Sequence, residues 1–194
     1  MWLNYPNGIN KKHTNHEITF GNRGMGLESD LNSTNDYYAS LDKAYIYKKP
    51  TPIKITKVDY PSRDKAVITQ AFFTVPSTTD YNGIYKGKYI DFEAKSTNLK
   101  SLPFKNISKH QIEHLNKVVS HGGIAFFIIN FRTLKETYFL PFEELQQFLQ
   151  STNRKSISVN TIKKKGQLIK GTIFIPINYV ECLDLYLSKN EKIL

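Results

Sequence analysis

The stretch Gly122-Gly123-Ile124-Ala125-Phe126-Phe127-Ile128-Ile129-Asn130 constrains the fold more than any other part of this chain. The apolar residues between the glycine pair and the asparagine do not alternate with polar ones, so a strand built from them has no face left for water. The run is far short of the ~20 residues that span a bilayer. It predicts a central strand buried on both faces, which requires helices on both sides of a sheet. Neighbouring segments supply them. Ser108 opens a helix that turns Ile112, Leu115, Val118 and Val119 inward and stops at Gly122-Gly123. Glu136 to Leu140 reads as the adjoining strand, and Pro141 as the first residue of a helix through Phe148. Nearer the N-terminus, Leu27, Leu31, Thr34, Tyr38 and Leu41 recur at helical spacing, with Glu28 near the edge of their stripe. Tyr45-Ile46-Tyr47 follows as a short strand. A polar, basic stretch from Ser151 to Lys170 precedes a last strand, Thr172 to Ile175, and a last helix, Tyr179 to Leu187. The expectation is an α/β protein with one mixed sheet flanked by helices. Residues 23–194 would form a single domain, preceded by a flexible polar arm at 1–22.

Charge narrows the partners. Of 194 residues, 27 are Lys or Arg and 17 are Asp or Glu, a net charge of +10. Such a surplus favours polyanions, nucleic acid first and an anionic membrane surface second. The single cysteine, Cys182, excludes an internal disulfide and a cysteine-based zinc site. With no apolar signal core at the N-terminus, the chain reads as soluble and cytoplasmic. The positive charge gathers in one region. Lys48-Lys49-Pro50-Thr51-Pro52 is extended, because each proline fixes its own φ and biases its predecessor away from helix. Ile53, Ile55 and Val58 nearly alternate with Lys54 and Lys57. A turn at Tyr60-Pro61-Ser62-Arg63-Asp64 leads past Lys65 into a returning strand, Ala66 to Phe73. The result is a basic β-hairpin inserted at about 48–76. Lysines that merely block edge pairing are the plainer alternative.

The segment from Ser77 to Lys95 carries the chemistry. Asn82-Gly83 is a strong short hairpin signal, with a second turn at Lys86-Gly87-Lys88 before the strand Tyr89 to Lys95. Residues 96–107 read as a polar loop. The hairpin can bring Asp80 to Glu93. On their strands, Glu93 and Lys95 share a face, as do Thr78 and Asp80. Two close carboxylates repel unless a cation lies between them. Oxygen donors without Cys or His favour Mg²⁺ or Mn²⁺. Such an ion with a lysine beside it is equipment for phosphodiester hydrolysis. Asp91 shares the face of Glu93 and competes for a metal role. Gln111 has two readings, as the partner of Ser108 in a capping box or as an acceptor for a metal-bound water. His110 and His114 have zinc-like spacing but no third ligand. Lys163-Lys164-Lys165-Gly166 reads as a solvated loop, with non-specific phosphate contact as the sharper alternative.

Several strings occur in order: Asn22-Arg23-Gly24-Met25 with Leu27-Glu28, Lys48-Lys49-Pro50-Thr51-Pro52, Tyr60-Pro61-Ser62-Arg63, Ser77-Thr78-Thr79-Asp80-Tyr81-Asn82-Gly83, Tyr89-Ile90-Asp91-Phe92-Glu93-Ala94-Lys95 and His110-Gln111-Ile112-Glu113-His114. Over residues 4–130 the chain resembles the RecU family of Holliday junction resolvases. The resemblance implies a restriction-endonuclease-like PD-(D/E)xK fold, a homodimer, paired Mg²⁺-dependent nicks in four-way DNA junctions, and modulation of the RecA recombinase. It implies Asp80 and Glu93 as metal-binding carboxylates, Thr78 and Gln111 as completing the metal site, and Lys95 as the lysine that stabilises the transition state. Glu28 matches the acidic residue of the first helix. The basic hairpin matches a stalk that enters the junction centre, and Arg63 a DNA or RecA contact. Arg23, Lys48, Lys49, Lys54, Lys57 and Lys65 complete the expected DNA contacts. The short arm and the C-terminal third depart from the family pattern, and no roles are carried onto that third. A PD-(D/E)xK nuclease with another DNA substrate, and a non-catalytic junction-binding regulator of RecA, are the alternatives.

Overall fold

A computed structural model of the chain describes residues 26–74 and 78–190. The expected arm at 1–22 and Arg23 lie outside the described residues. The elements in chain order are α1 (Leu27–Ser40), β1 (Tyr45–Lys48), β2 (Ile53–Asp59), β3 (Val67–Phe73), β4 (Tyr81–Tyr85), β5 (Lys88–Thr97) and β6 (Ser101–Pro103). A 3₁₀ turn (Phe104–Asn106) leads into α2 (Lys109–Ser120), β7 (Ile124–Phe131), β8 (Glu136–Pro141), α3 (Phe142–Ser151), β9 (Ser156–Ser158), α4 (Val159–Lys165), β10 (Gln167–Leu168) and α5 (Tyr179–Asn190). The chain divides into two compact units, one holding the β2–β3 hairpin and the other holding the remaining described elements.

The larger unit is built on a mixed six-stranded sheet in the order β1-β4-β5-β7-β8-β10. Strands β5 and β7 run parallel, joined through α2, and every other pairing is antiparallel. As its uninterrupted apolar run predicts, β7 is buried on both faces, with only Asn130 partly exposed. Successive residues alternate between two cores. Ile90, Phe92, Phe126, Ile128 and Phe139 pack with Leu31 and Tyr38 of α1 and with Tyr179 and Leu183 of α5. Ala125, Phe127, Ile129 and Leu140 pack on the opposite face with Leu115 of α2, Leu145 of α3 and Ile162 of α4. This is the mixed sheet flanked by helices that the sequence predicts. Buried polar residues of α1 bond to the start of α5 and the segment before it, although Asn35 Nδ2 finds no partner among the described residues. Tyr38 donates to Asn178 at 2.8 Å, Tyr179 donates to Asn35 at 2.6 Å, and Thr34 accepts from the Ile177 amide at 3.3 Å. Burial pushes the Cys182 thiol up to about 11, which keeps it protonated.

Several expectations are corrected. Asn82-Gly83 does not turn; both residues lie inside β4. The second expected turn, at Lys86-Gly87, is the one that joins β4 to β5, and both φ angles are positive there (47° and 73°) as a type I′ turn requires. Gly83 is there for closeness instead: a Cβ would lie 2.2 Å from the Tyr45 carbonyl oxygen on neighbouring β1. Residues 96–107 are not a plain loop. They contain the end of β5 and all of β6, which pairs with β9 from the basic stretch beyond Ser151. Neither strand shows in its own sequence, because each is three residues long and paired only across the fold. The lysine run ends α4 rather than forming a loop; Lys163 pairs with Glu136 and Lys165 with Glu144, at 2.9 and 2.6 Å. Thr172 to Ile175 is a turn closed by a Thr172 amide to Ile175 carbonyl bond of 2.8 Å, not a strand. Leu41 falls just past α1 and is exposed, and Pro141 caps α3 rather than opening it.

The second unit is the hairpin. β2 and β3 pair antiparallel with two register shifts, one at Thr56 and one at Thr69. Every residue of both strands is exposed. Lys54 and Lys57 lie on β2, and Arg63 and Lys65 lie in the connection to β3. A lone two-stranded ribbon has no buried face and is marginal by itself. Among the described residues no helix is long and apolar enough to cross a membrane.

Candidate active site

The site is assembled where β5 passes under α2. Alternate residues of the strand, Tyr89, Asp91, Glu93 and Lys95, point to one face at roughly 6.6–6.8 Å intervals. Residues three or four apart on a helix recur at roughly 4.5–6 Å along its axis. The two rows therefore run nearly in step. Gln111 meets Glu93 at 2.7 Å and His114 meets Asp91 at 2.8 Å.

Glu93 is 1% exposed. Its Oε1 accepts from Gln111 Nε2 and sits 2.5 Å from Lys95 Nζ, while its Oε2 is buried with no hydrogen-bond partner among the described residues. Gln111 does two jobs at once. Its Oε1 accepts the Ser108 amide at 3.0 Å, completing the capping box of α2, and its Nε2 orients Glu93. The capping reading of Gln111 is thus seen directly, and the same residue reaches the candidate site through Glu93. In this orientation the amide turns N–H toward Glu93, so ligating a metal through its oxygen requires giving up the return bond of the cap.

Asp80 immediately precedes β4, and its neighbour Tyr81 is the ladder partner of Phe92. That register places Asp80 beside Glu93. Its Oδ2 accepts the Ala94 amide at 3.0 Å and its carbonyl accepts the Lys49 amide at 2.8 Å. Burial first, and the Asp80 charge second, push the Glu93 carboxyl up to about 7, against the opposing pull of Lys95 and Gln111. A carboxyl raised from 4.5 to about 7 on folding contributes stability that is complete below its ordinary value and lost as pH rises through the folded one. In chelator, the thermal midpoint of the native protein is therefore expected to fall between about pH 4.5 and 7 more than that of Glu93→Gln. Equal pH dependence in the two proteins would assign the titration to another group.

A second acidic centre lies one row away. Asp91 is fully buried, with Oδ2 receiving Lys49 at 2.7 Å, Tyr89 at 2.9 Å and His114 at 2.8 Å. Thr79 donates to its Oδ1. These contacts give both oxygens of Asp91 partners from the chain itself. They also fix the segment before β4, because Lys49 Nζ bonds Thr78 Oγ1 at 3.2 Å and Thr79 Oγ1 at 2.6 Å. Lys49, expected as a DNA contact, is thus directed inward, with a side chain only 14% exposed. Lys48, its neighbour, points to the other face of the sheet and pairs with Glu28 of α1. Glu28 is reached from that opposite layer. It shares with Asp80 a repulsive effect on the buried Tyr81 hydroxyl, which burial first pushes above its ordinary value. The structure therefore brings together Asp80, Glu93, Lys95 and Gln111, ties Thr78 to them through Lys49, and holds Glu28 with Lys48. Lys54, Lys57, Arg63 and Lys65 belong to the hairpin unit. His114 serves Asp91, and among the described residues no cluster of three or more His, Cys, Asp or Glu suits a metal.

Sequence reasoning missed the Lys49–Thr79–Asp91–His114 network. Its one visible signal was Asp91 between Ile90 and Phe92 on a strand expected to be buried, since a buried carboxylate requires donors.

Comparison with known proteins supplies the family. The family model described as recombination protein U matches residues 22–185. The Holliday junction resolvase RecU of Streptococcus thermophilus is 46% identical over 196 residues, covering 97% of this chain and 99% of its own. The protein of that name from Oceanobacillus iheyensis is 47% identical over 201 residues, with 98% and 99% covered. Among solved structures, a Holliday junction resolvase, Hjc of Archaeoglobus fulgidus, shares 14% identity at a TM-score of 0.40, over 69% of this chain and 90% of its own. With a family match across most of its length and near-full-length relatives at almost half identity, the chain belongs to the RecU family.

Proposed function

We propose that this chain resolves four-way DNA junctions by hydrolysing phosphodiester bonds at Asp80, Glu93 and Lys95. Mg²⁺, with Mn²⁺ as a substitute, would be held by Asp80 and Glu93. The observation that carries the reading is Glu93 Oε2, a buried acceptor without a donor on a carboxylate that its neighbour Asp80 repels. A hard cation between the two groups satisfies the one and screens the other. When bound, such an ion supplies polarisation of a phosphoryl oxygen and a water of lowered pKa. The remaining tasks fall to the chain. Lys95, 20% exposed and against Glu93 Oε1, sets an ammonium where negative charge develops on the reacting phosphate. Gln111 keeps the Glu93 carboxylate from turning, and Lys49 ties the Asp80 segment to β5. Thr78, exposed on that same segment, offers a further oxygen, and Glu28, paired with Lys48 in the opposite layer, would be the acid supplied by α1.

The four-way junction as substrate rests on the relatives named Holliday junction resolvase. A +10 chain suits a ligand held mainly through phosphates and recognised by shape. The hairpin would enter the junction centre, with Lys54, Lys57, Arg63 and Lys65 on phosphates and Arg23 as a further contact. Symmetric cuts on two strands need two sites related by a two-fold axis, hence a homodimer. Exposed apolar side chains on the hairpin, such as Ile53, Phe72 and Phe73, support pairing with a second copy. Arg63 is also the candidate contact for RecA.

The test is cleavage of a labelled four-way junction, a matched linear duplex and a single strand, in Mg²⁺ and in chelator. Paired nicks in the junction alone, with metal only, are expected. Binding without cleavage in any metal would favour a regulatory DNA-binding role. Replacing residues 51–71 by a short linker is expected to abolish the preference for junction over duplex. Retained preference would remove the hairpin from junction recognition.

A further inference from the structure

The face of β5 that carries Glu93 continues past the catalytic residues onto β4 and β1. Directly opposed residues of antiparallel strands share a face. Tyr45, Ile84 and Tyr89 form one row across the three strands, and Tyr47, Asn82 and Asp91 form the next. Over β5, β7 and β8 this face is covered by α2, α3 and α4. Beyond that cover Tyr45 is 65% exposed, Tyr47 47% and Tyr89 40%. The Tyr45 and Tyr47 rings lie 5.8 Å apart. Where α2 ends, a cleft of about 450 Å³ opens between Tyr89 and the helix, lined also by His114, Lys117 and His121. No acidic side chain lines it, and the nearby Asp91 carboxylate is buried and occupied. Lys117 has no ion-pair partner among the described residues. His121 donates Nδ1–H to the Lys117 carbonyl at 2.8 Å, so Nε2 is left to donate to a phosphate in the imidazolium form of the ring.

We propose that this face is a subsite for an unpaired nucleic-acid strand, with bases stacked on Tyr45, Tyr47 and Tyr89 and phosphates at Lys117 and His121. The inference rests on the DNA-cleaving reading above for its ligand class. Aromatic side chains beside a positive groove are the means by which single strands are held without sequence preference. A duplex does not present base faces to the tyrosines; an opened strand does. A second copy of this +10 chain would bring more positive charge to a cleft that already lacks acids. Position supports the link to catalysis. Tyr89 lies two strand rows from Glu93, roughly 13 Å at ~6.6 Å per row. That distance is about four nucleotides at ~3.4 Å each, so a strand on the tyrosines leads into the cleavage centre.

The test uses the full chain in chelator, with fluorescence anisotropy of a labelled oligothymidylate of about 12 nucleotides, a length within the site sizes of single-strand binders. Tyr45→Ala and Tyr47→Ala are each expected to weaken binding roughly ten-fold, and Tyr47→Phe to restore it, because stacking needs the ring and not the hydroxyl. Lys117→Ala is expected to weaken binding and to reduce the slope of log affinity against log salt by about 0.7, one phosphate contact. Native binding by all the variants overturns the proposal. So does a change of oligomeric mass in the tyrosine variants with oligonucleotide binding intact, which would make the face a protein interface. If the native protein cuts no junction while these variants still lose the oligonucleotide, the cleavage reading fails and the strand subsite stands.

Discussion

Asp80→Asn and Glu93→Gln each reduce junction cleavage by at least about a thousand-fold, while junction binding in chelator stays near native. Both substitutions keep shape and remove charge. In Asp80→Asn the side-chain amide oxygen still accepts the Ala94 amide, so the backbone register between β4 and β5 survives. In Glu93→Gln the side chain retains an acceptor for Gln111 and Lys95, so α2 stays capped over β5. What each variant loses is half of the paired negative charge that would hold a divalent cation. Since the removed charges are negative, neither change weakens attraction to a polyanion. The measurement is single-turnover nicking of a labelled junction, with anisotropy on the same substrate in chelator. Loss of binding in both variants would show that these residues maintain the fold rather than perform the chemistry.

Asp91→Ala costs about 3–5 kcal/mol of stability, although Asp91 is not itself a ligand or a nucleophile. It leaves the Lys49 ammonium, on a side chain 14% exposed, without its carboxylate. Tyr89 and His114 lose the same acceptor. For a chain of this length the thermal midpoint falls on the order of 10 °C. Adding Lys49→Met recovers part of the loss, because no unpaired charge then remains buried. Recovered stability does not restore cleavage, since Lys49 no longer ties Thr78 and Thr79 in the segment that presents Asp80. Chemical denaturation of the single and double variants, with nicking rates measured at a temperature where all are folded, separates the two effects. A loss below about 1 kcal/mol in Asp91→Ala would mean that water reaches Lys49 and that the pair is a surface one.

Much of this arrangement was legible beforehand. The uninterrupted run at 124–129 required a doubly covered strand, and β7 is that strand. The alternation of Asp91, Glu93 and Lys95 placed three charged groups on one face of β5. The capping pattern at Ser108 located the start of α2 to the residue. The turn between β4 and β5 was legible at Lys86-Gly87-Lys88, but an extra turn was read at Asn82-Gly83, because glycine serves two purposes. It permits positive φ, which a sequence signal detects, and it permits close approach, which depends on a strand elsewhere in the chain. At Gly83 the second purpose applies. β6 and β9 were invisible for a related reason: their only pairing joins segments more than fifty residues apart.

By itself the sequence determined the fold class, the strand on which Asp91, Glu93 and Lys95 share a face, and a net charge of +10. These follow from periodicity, composition and local turn and cap chemistry, which act over a few residues. Only the tertiary structure decided how the two lysines of Lys48-Lys49 divide, one to Glu28 and one to Asp91. It likewise decided that Asp91 is occupied while Glu93 Oε2 is not. Ion pairing and desolvation depend on which groups other elements bring within a few ångströms, and no local pattern encodes that.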